Sequence, residues 1–165
     1  MTFLEAQKAL CRKLDISYAD IANNDLFTLE DIKDYIQQGV QQAWDFEFWK
    51  MSEHSKSSTL TAPQIAAGYI AYPTDIAPSS IWYLEVNSVE FKKRAFASYK
   101  SWFEKNPDDL SKMWSEFKRL IFFNGNLAET GHVITIYGKK VAPILSADAD
   151  LMPFSPDTDN EEYSG

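Results

Sequence analysis

The sequence predicts an α+β fold: a helical bundle built round a long central helix, with β-hairpin insertions and an extended C-terminal arm. Three observations predict it. Apolar residues recur every three or four positions between Leu29 and Lys50, behind a helix-capping signal. Pro63, Pro73 and Pro78 punctuate a stretch of alternating apolar and β-forming residues, and from Lys139 onward the chain turns rich in Asp and Pro.

Thr2-Phe3-Leu4-Glu5 has the form of a capping box, in which each side chain satisfies the other residue's free backbone N–H. Phe3, Ala6, Leu10 and Leu14 follow at helical spacing, so a short amphipathic helix is expected over residues 2–14. Thr28-Leu29-Glu30-Asp31 is a second capping signal, with acids in the first turn where the helix dipole favours them. Ile32, Ile36, Val40, Ala43 and Trp44 continue it, and a helix over residues 29–50 would be on the order of 30 Å long at ~1.5 Å per residue.

After Lys50 the stretch "SEHSKSSTLTA" is polar, and Gly68 to Tyr72 and Ile81 to Val89 then alternate. Prolines at that density exclude a helix and mark strand ends, so a small hairpin or meander is expected. Pro73 removes a backbone donor and ends the first strand, Asp75 caps the turn, and Ile81 starts the return strand. Tyr99, Trp102 and Phe103 belong to a short helix closed by Asn106-Pro107. Asn106-Pro107-Asp108-Asp109 reads as the start of another helix, whose buried face would be Leu110, Met113, Trp114 and Phe117. Asn124-Gly125-Asn126, between "RLIFF" and "HVITIYG", suggests a second hairpin. Residues 1–138 would form the helical domain with its hairpins. Residues 139–165 would form an acidic arm, too poor in apolar side chains to offset the entropy of ordering it.

At 165 residues the chain is about one domain long. Its net charge of −8 argues against general attraction to a nucleic-acid backbone. Lys92-Lys93-Arg94, preceded by Phe91, is its one basic cluster and reads as a local ion-pair face. The single cysteine, Cys11, cannot form an internal disulfide. Glu5, Lys8, Arg12 and Lys13 break up the start of the chain, which therefore lacks a signal-like apolar run, and no stretch approaches the ~20 apolar residues that span a bilayer. A soluble protein made in the cytoplasm is expected.

His54 and His132 show no partner constellation for a metal site or a catalytic triad. Asp148, Asp150, Asp157 and Asp159 lack the order of a calcium loop and read as a solvated acidic tail. Gly-rich phosphate loops and nucleophile motifs are missing, so no catalytic, cofactor-binding or metal-ligating residue is assigned. The aromatics stand out instead. Trp44 and Phe48 share one helical face while Phe46 and Trp49 point elsewhere, so the end of the long helix is apolar nearly all round. Either a later segment of this chain or another chain has to cover it.

In order, "DIKDYIQQGVQQAWDFEFW", "GYIAYPTDIA", "ASYKSWFEKNPDD" and "VITIYGKKVAPILSADADLMPF" resemble the head-to-tail adaptor, or connector, proteins of tailed bacteriophages. These open with a short helix and a long helix ending in tryptophan. A Thr-rich β-segment closed by a Tyr-x-x-Pro-x-Asp-like phrase follows, and an apolar, aspartate-bearing arm comes last. In that family a further helix follows the phrase that "EEYSG" resembles. The resemblance implies a structural virion protein at the neck of the particle. Its partners would be the portal protein, a tail or stopper protein and further copies of itself in a cyclic homo-oligomer, a dodecamer. DNA would pass through the ring without sequence-specific binding. Trp44, Phe48, Trp49, Tyr72, Asp75, Trp82, Pro153 and Phe154 are the contact residues expected on this view. The alternative is a monomeric protein-binding or regulatory module with an exposed aromatic contact surface.

Overall fold

The computed structural model describes residues 1–24, 26–46 and 52–154. The chain divides into two compact units, Met1–Ser52 with Ala142–Gly165, and Glu53–Val141.

The first unit is helical. Helix α1 (Phe3–Lys13) begins with the expected capping box, Thr2 Oγ1 accepting from Glu5 N at 3.3 Å while Glu5 Oε2 accepts from Thr2 N at 2.7 Å. A 3-10 turn over Tyr18–Asn23 leads to helix α2 (Leu29–Phe46). Its start is capped reciprocally: Asp31 N donates to Thr28 Oγ1 at 3.2 Å and Thr28 N to Asp31 Oδ2 at 2.8 Å. The Thr28 hydroxyl also donates to Asp31 Oδ2 at 2.7 Å, and this bond with that from Thr28 N holds the Asp31 carboxyl below its ordinary range. Ile32, Val40 and Trp44 form the buried stripe of α2. Phe3, Val40 and Leu145 pack together, as do Cys11, Ile21 and Ile32.

Part of the expected free arm is not free. A helix leaves its first N–H groups without intrahelical acceptors, and carbonyls of the returning chain accept two of them, from Phe3 N to Asp150 O at 2.7 Å and Leu4 N to Asp148 O at 3.1 Å. Gln37 holds the same segment from α2, its Nε2 donating to Pro143 O at 3.0 Å and its Oε1 accepting from Leu145 N at 2.9 Å. Within the segment Ala142 and Leu145 are buried, and Met152 packs beside Leu145. Ordering residues 142–152 is offset by backbone hydrogen bonds that composition alone does not reveal.

The second unit corrects the predicted fold. It is no helical bundle round a long central helix but a seven-stranded, curled mixed sheet, and the described residues hold four short helices in all. Strands β1 (Glu53–Thr59), β2 (Tyr69–Ala71), β3 (Tyr83–Val86), β4 (Val89–Lys93), β5 (Met113–Phe117), β6 (Leu120–Phe123) and β7 (Val133–Lys139) lie in the order β1-β7-β3-β4-β5-β6-β2. All neighbours are antiparallel except β4 and β5, which run parallel and are joined through helix α4 (Phe96–Lys105). One core fills the concave side, made by Ile70, Leu84, Val86, Phe91, Trp114, Ile121, Phe123, Ile134 and Ile136 from six of the strands, with Leu60, Ile76 and Ile81 from the connections.

Three expectations about elements also change. "MWSEF" is strand β5, not a helix face: Trp114 lies in the core and Ser115 is buried as well, as successive residues of a strand covered on both faces can be. The two-residue turn Lys118-Arg119, with φ of 49° and 63°, folds β5 onto β6. Pro63 sits in the first turn of helix α3 (Ala62–Ala67), where its missing donor costs nothing, and Gly68 closes that helix at φ 69°. Neither proposed hairpin pairs as expected: β2 joins β6 rather than β3, and β7 joins β1 and β3 rather than β6.

Candidate protein-contact site

In the helical unit the structure bears on three of the predicted contact residues. Trp44 is 4% exposed, and its ring lies 6.1 Å from that of Phe154 in the same chain. Pro153 is partly buried and Phe154 is at the surface. Phe48 and Trp49 lie outside the described residues. Among the described residues, the ring that stands furthest into solvent is Phe46, at 87% exposure, and Leu26 and Ile144 are each 81% exposed.

In the β unit, Tyr72 and Asp75 flank the loop that Pro73 opens. Tyr72 is buried, and its hydroxyl donates to Ala77 O at 2.8 Å. Burial, with the Glu116 charge adding to it, pushes that hydroxyl up to about 12. Asp75 does not cap its turn. Its Oδ2 accepts from His54 Nε2 at 3.1 Å and Lys56 Nζ at 3.0 Å, tying the loop to the edge strand β1. Burial raises the Asp75 carboxyl, but the hydrogen bonds from His54 and Lys56 together outweigh it and the net displacement is downward. Trp82 is 46% exposed beside the fully buried Ile81. His54 therefore has a structural partner that spacing did not reveal.

The basic triplet splits. Lys93 turns inward, donating to the Glu116 carboxylate and to Ile81 O, with its Nζ 5.0 Å from the centre of the Trp114 ring. The ion-pair reading holds for Lys93 only. Lys92 and Arg94 project to the other face, as alternation along a strand requires, and together with Lys112 they have no side-chain partner among the described residues. Beside them, α4 places Trp102 at 47% exposure. Its indole N–H donates to Asp109 Oδ2 at 2.9 Å, and the same oxygen accepts from Ser111 N at 2.9 Å. Buried Asn124 fixes this loop by donating to Asp109 O at 2.8 Å and Ser111 O at 2.9 Å.

The outer face of β5, β6 and β2 carries an aromatic sheet that sequence reasoning found only in part. Phe96 stacks on Phe117 at 4.3 Å, Phe122 lies 4.9 Å from Phe96 and 5.6 Å from Tyr69, and Tyr99 packs 4.8 Å from Phe103. A hollow of about 470 Å³ opens between Phe96, Tyr99, Phe103 and Phe122. The signal for Phe117 and Phe122 lies in β-strand alternation, and a helical reading of residues 110–117 hides it at Phe117.

Among the described residues no group of three or more His, Cys, Asp and Glu is placed to hold a metal ion. Asp150 Oδ2 instead accepts from Ser146 N and Ala147 N at 2.7 and 2.8 Å, and Asp148 Oδ1 accepts from Gln7 Nε2 at 3.3 Å. No helix of the described residues is long and apolar enough to cross a membrane. Compared with protein-family models and with curated proteins, the sequence matches none.

Proposed function

We propose that this protein is a head-to-tail adaptor: a structural subunit that assembles into a homo-oligomeric ring under a phage portal and joins the capsid to the tail. One observation carries the self-association in this reading. Phe46, Leu26 and Ile144, exposed at 87%, 81% and 81%, all belong to the helical unit. Isolated exposed apolar residues are ordinary, but several large ones on so small a unit favour burial against another chain. A head-to-tail contact repeated by rotation closes a ring. The acidic balance of −8 suits a channel through which DNA slides without tight phosphate contacts.

Trp44 and residues 142–152 no longer contribute to this case, because they are satisfied within their own chain. That observation favours the second reading, a monomeric module whose exposed aromatics engage another protein. Electron microscopy of the purified protein, alone and mixed with a portal ring, separates the two. Rings, or added density on the portal, are the expected result. The double variant Phe46→Asp, Ile144→Asp should keep its circular dichroism yet lose assembly. A wild-type chain that stays monomeric and never joins a portal removes the adaptor reading.

A further inference from the structure

Two adjoining hollows of about 400 and 380 Å³ share Arg94, Ser111 and Met113 and together form one groove between β4, α4 and the chain leading into β5. The backbone sets its width: Lys92 N donates to Lys112 O at 2.8 Å and Arg94 N to Trp114 O at 2.9 Å. Lys92, Arg94 and Lys112 supply three cations, Met113 and Trp102 an apolar floor, and Leu110, 64% exposed, an apolar lip. The Trp102 ring is held in place through Asp109, whose carboxyl is kept below its ordinary range by hydrogen bonds from Ser111 and Trp102. Glu90 is the carboxylate among the lining residues.

A strongly acidic chain that leaves three neighbouring cations without partners presents a seat for an anionic group. Lys92 and Arg94 are two residues apart on extended backbone, about 7 Å. The sequence of residues 155–165, SPDTDNEEYSG, repeats that spacing: Asp157, Asp159, Glu161 and Tyr163 recur at every second position. Bound in extended form, such a segment would present three carboxylates and then a ring along one side.

We propose that this groove is the docking site for residues 155–165 of a second copy of the chain, with the acids against Lys92, Arg94 and Lys112 and Tyr163 against Trp102. The contact is heterologous, groove on one copy and acidic segment on the next, so each bound copy still offers an unused half to a third. It deepens the ring reading by naming one self-contact. A single-stranded nucleic acid is the competing occupant, since bases stack on exposed tryptophan. Charge complementarity favours the peptide: three cations on a chain of net −8 make no extended track for a phosphate backbone.

A labelled peptide of residues 155–165 is titrated into the full-length protein and followed by fluorescence anisotropy. Saturable binding is expected, weakened about tenfold or more by Lys92→Glu with Arg94→Glu, by Asn and Gln in place of the peptide acids, and by 0.5 M salt. Sedimentation then tests the contact between chains. The groove variant and a tail variant, Asp157→Asn with Asp159→Asn and Glu161→Gln, should each fail to self-associate alone but form a dimer when mixed. The milder pair Lys92→Ala, Arg94→Ala guards against misfolding. Absence of peptide binding, a mixture that stays monomeric, or an oligothymidylate that binds the groove more tightly than the peptide would each overturn the proposal. If both variants enter rings on a portal unchanged, this contact falls and the adaptor reading stands; if the peptide binds but no ring ever forms, the reverse holds.

Discussion

Leu145→Ala separates a packed return segment from a loose arm. Leu145 is 8% exposed and lies between Phe3 and Val40. Truncating a buried leucine costs ~2–5 kcal/mol, and a site at the rim of a small cluster belongs at the low end, about 2–3 kcal/mol. Gln37→Ala removes two hydrogen bonds to the same segment, each worth ~1 kcal/mol net. Because the two residues hold one element, their effects should fall short of additive. Urea unfolding followed by tryptophan fluorescence should show the midpoint of the helical unit falling by about 1 M for Leu145→Ala, taking a slope of ~2 kcal/mol per molar. Limited proteolysis beyond Val141 should accelerate in parallel. A loss below about 0.5 kcal/mol, or cleavage there as fast in the wild type as in the variant, would show that the segment is not held and refute the packing derived from it.

Other outcomes follow from single contacts. Because the folded Asp75 carboxyl lies below the ordinary 3.8, its stabilising contribution is complete above that value and is lost as pH falls through the folded value. The stability gap between wild type and Asp75→Asn, read by thermal melts across pH, should therefore be open at neutrality and close in acid; a gap that widens in acid would contradict the pairing. Gly125→Ala should destabilise by ~1–3 kcal/mol, because a Cβ there would stand 2.4 Å from Ile65 O, and an unchanged melting temperature would show that the backbone yields freely. Lys118→Asn with Arg119→Gly should stabilise by ~0.5–1 kcal/mol, since both positions adopt φ above +45° and Asn-Gly suits such a turn; a loss would mean that the Lys118 contact over the Phe117 ring matters more.

The helical unit was legible because its signals are local. The capping boxes at Thr2 and Thr28 and the apolar period through Trp44 appear as expected. The β unit was not, for reasons that lie in particular residues. Its two tightest turns, Asn87-Ser88 and Lys118-Arg119, adopt positive φ without a glycine, so the usual hairpin signal is missing. Strand β1 is "EHSKSST", a polar edge whose apolar face is nearly empty, and it reads as a loop. Trp114 and Phe117 happen to sit three apart, a helical interval, in a strand. Strand order is set by long-range pairing, and no local pattern encodes it. At the contact surface, Trp82, Phe154 and Trp102 were visible as aromatics. The division of the basic triplet between the two faces of the sheet depended on knowing the strand.

The β unit begins with Glu53 and ends beyond Lys139, and these two residues face one another across the antiparallel β1–β7 pair. Its way in and its way out are thus side by side. Such a module can be exchanged, shortened or elaborated at its far turns while the ends it offers to the rest of the chain stay in place. The same geometry sets its response to load. A pull on the chain at both joints would open Glu53 from Lys139 first, then His54 from Gly138, peeling the ladder one rung at a time instead of shearing all of it at once.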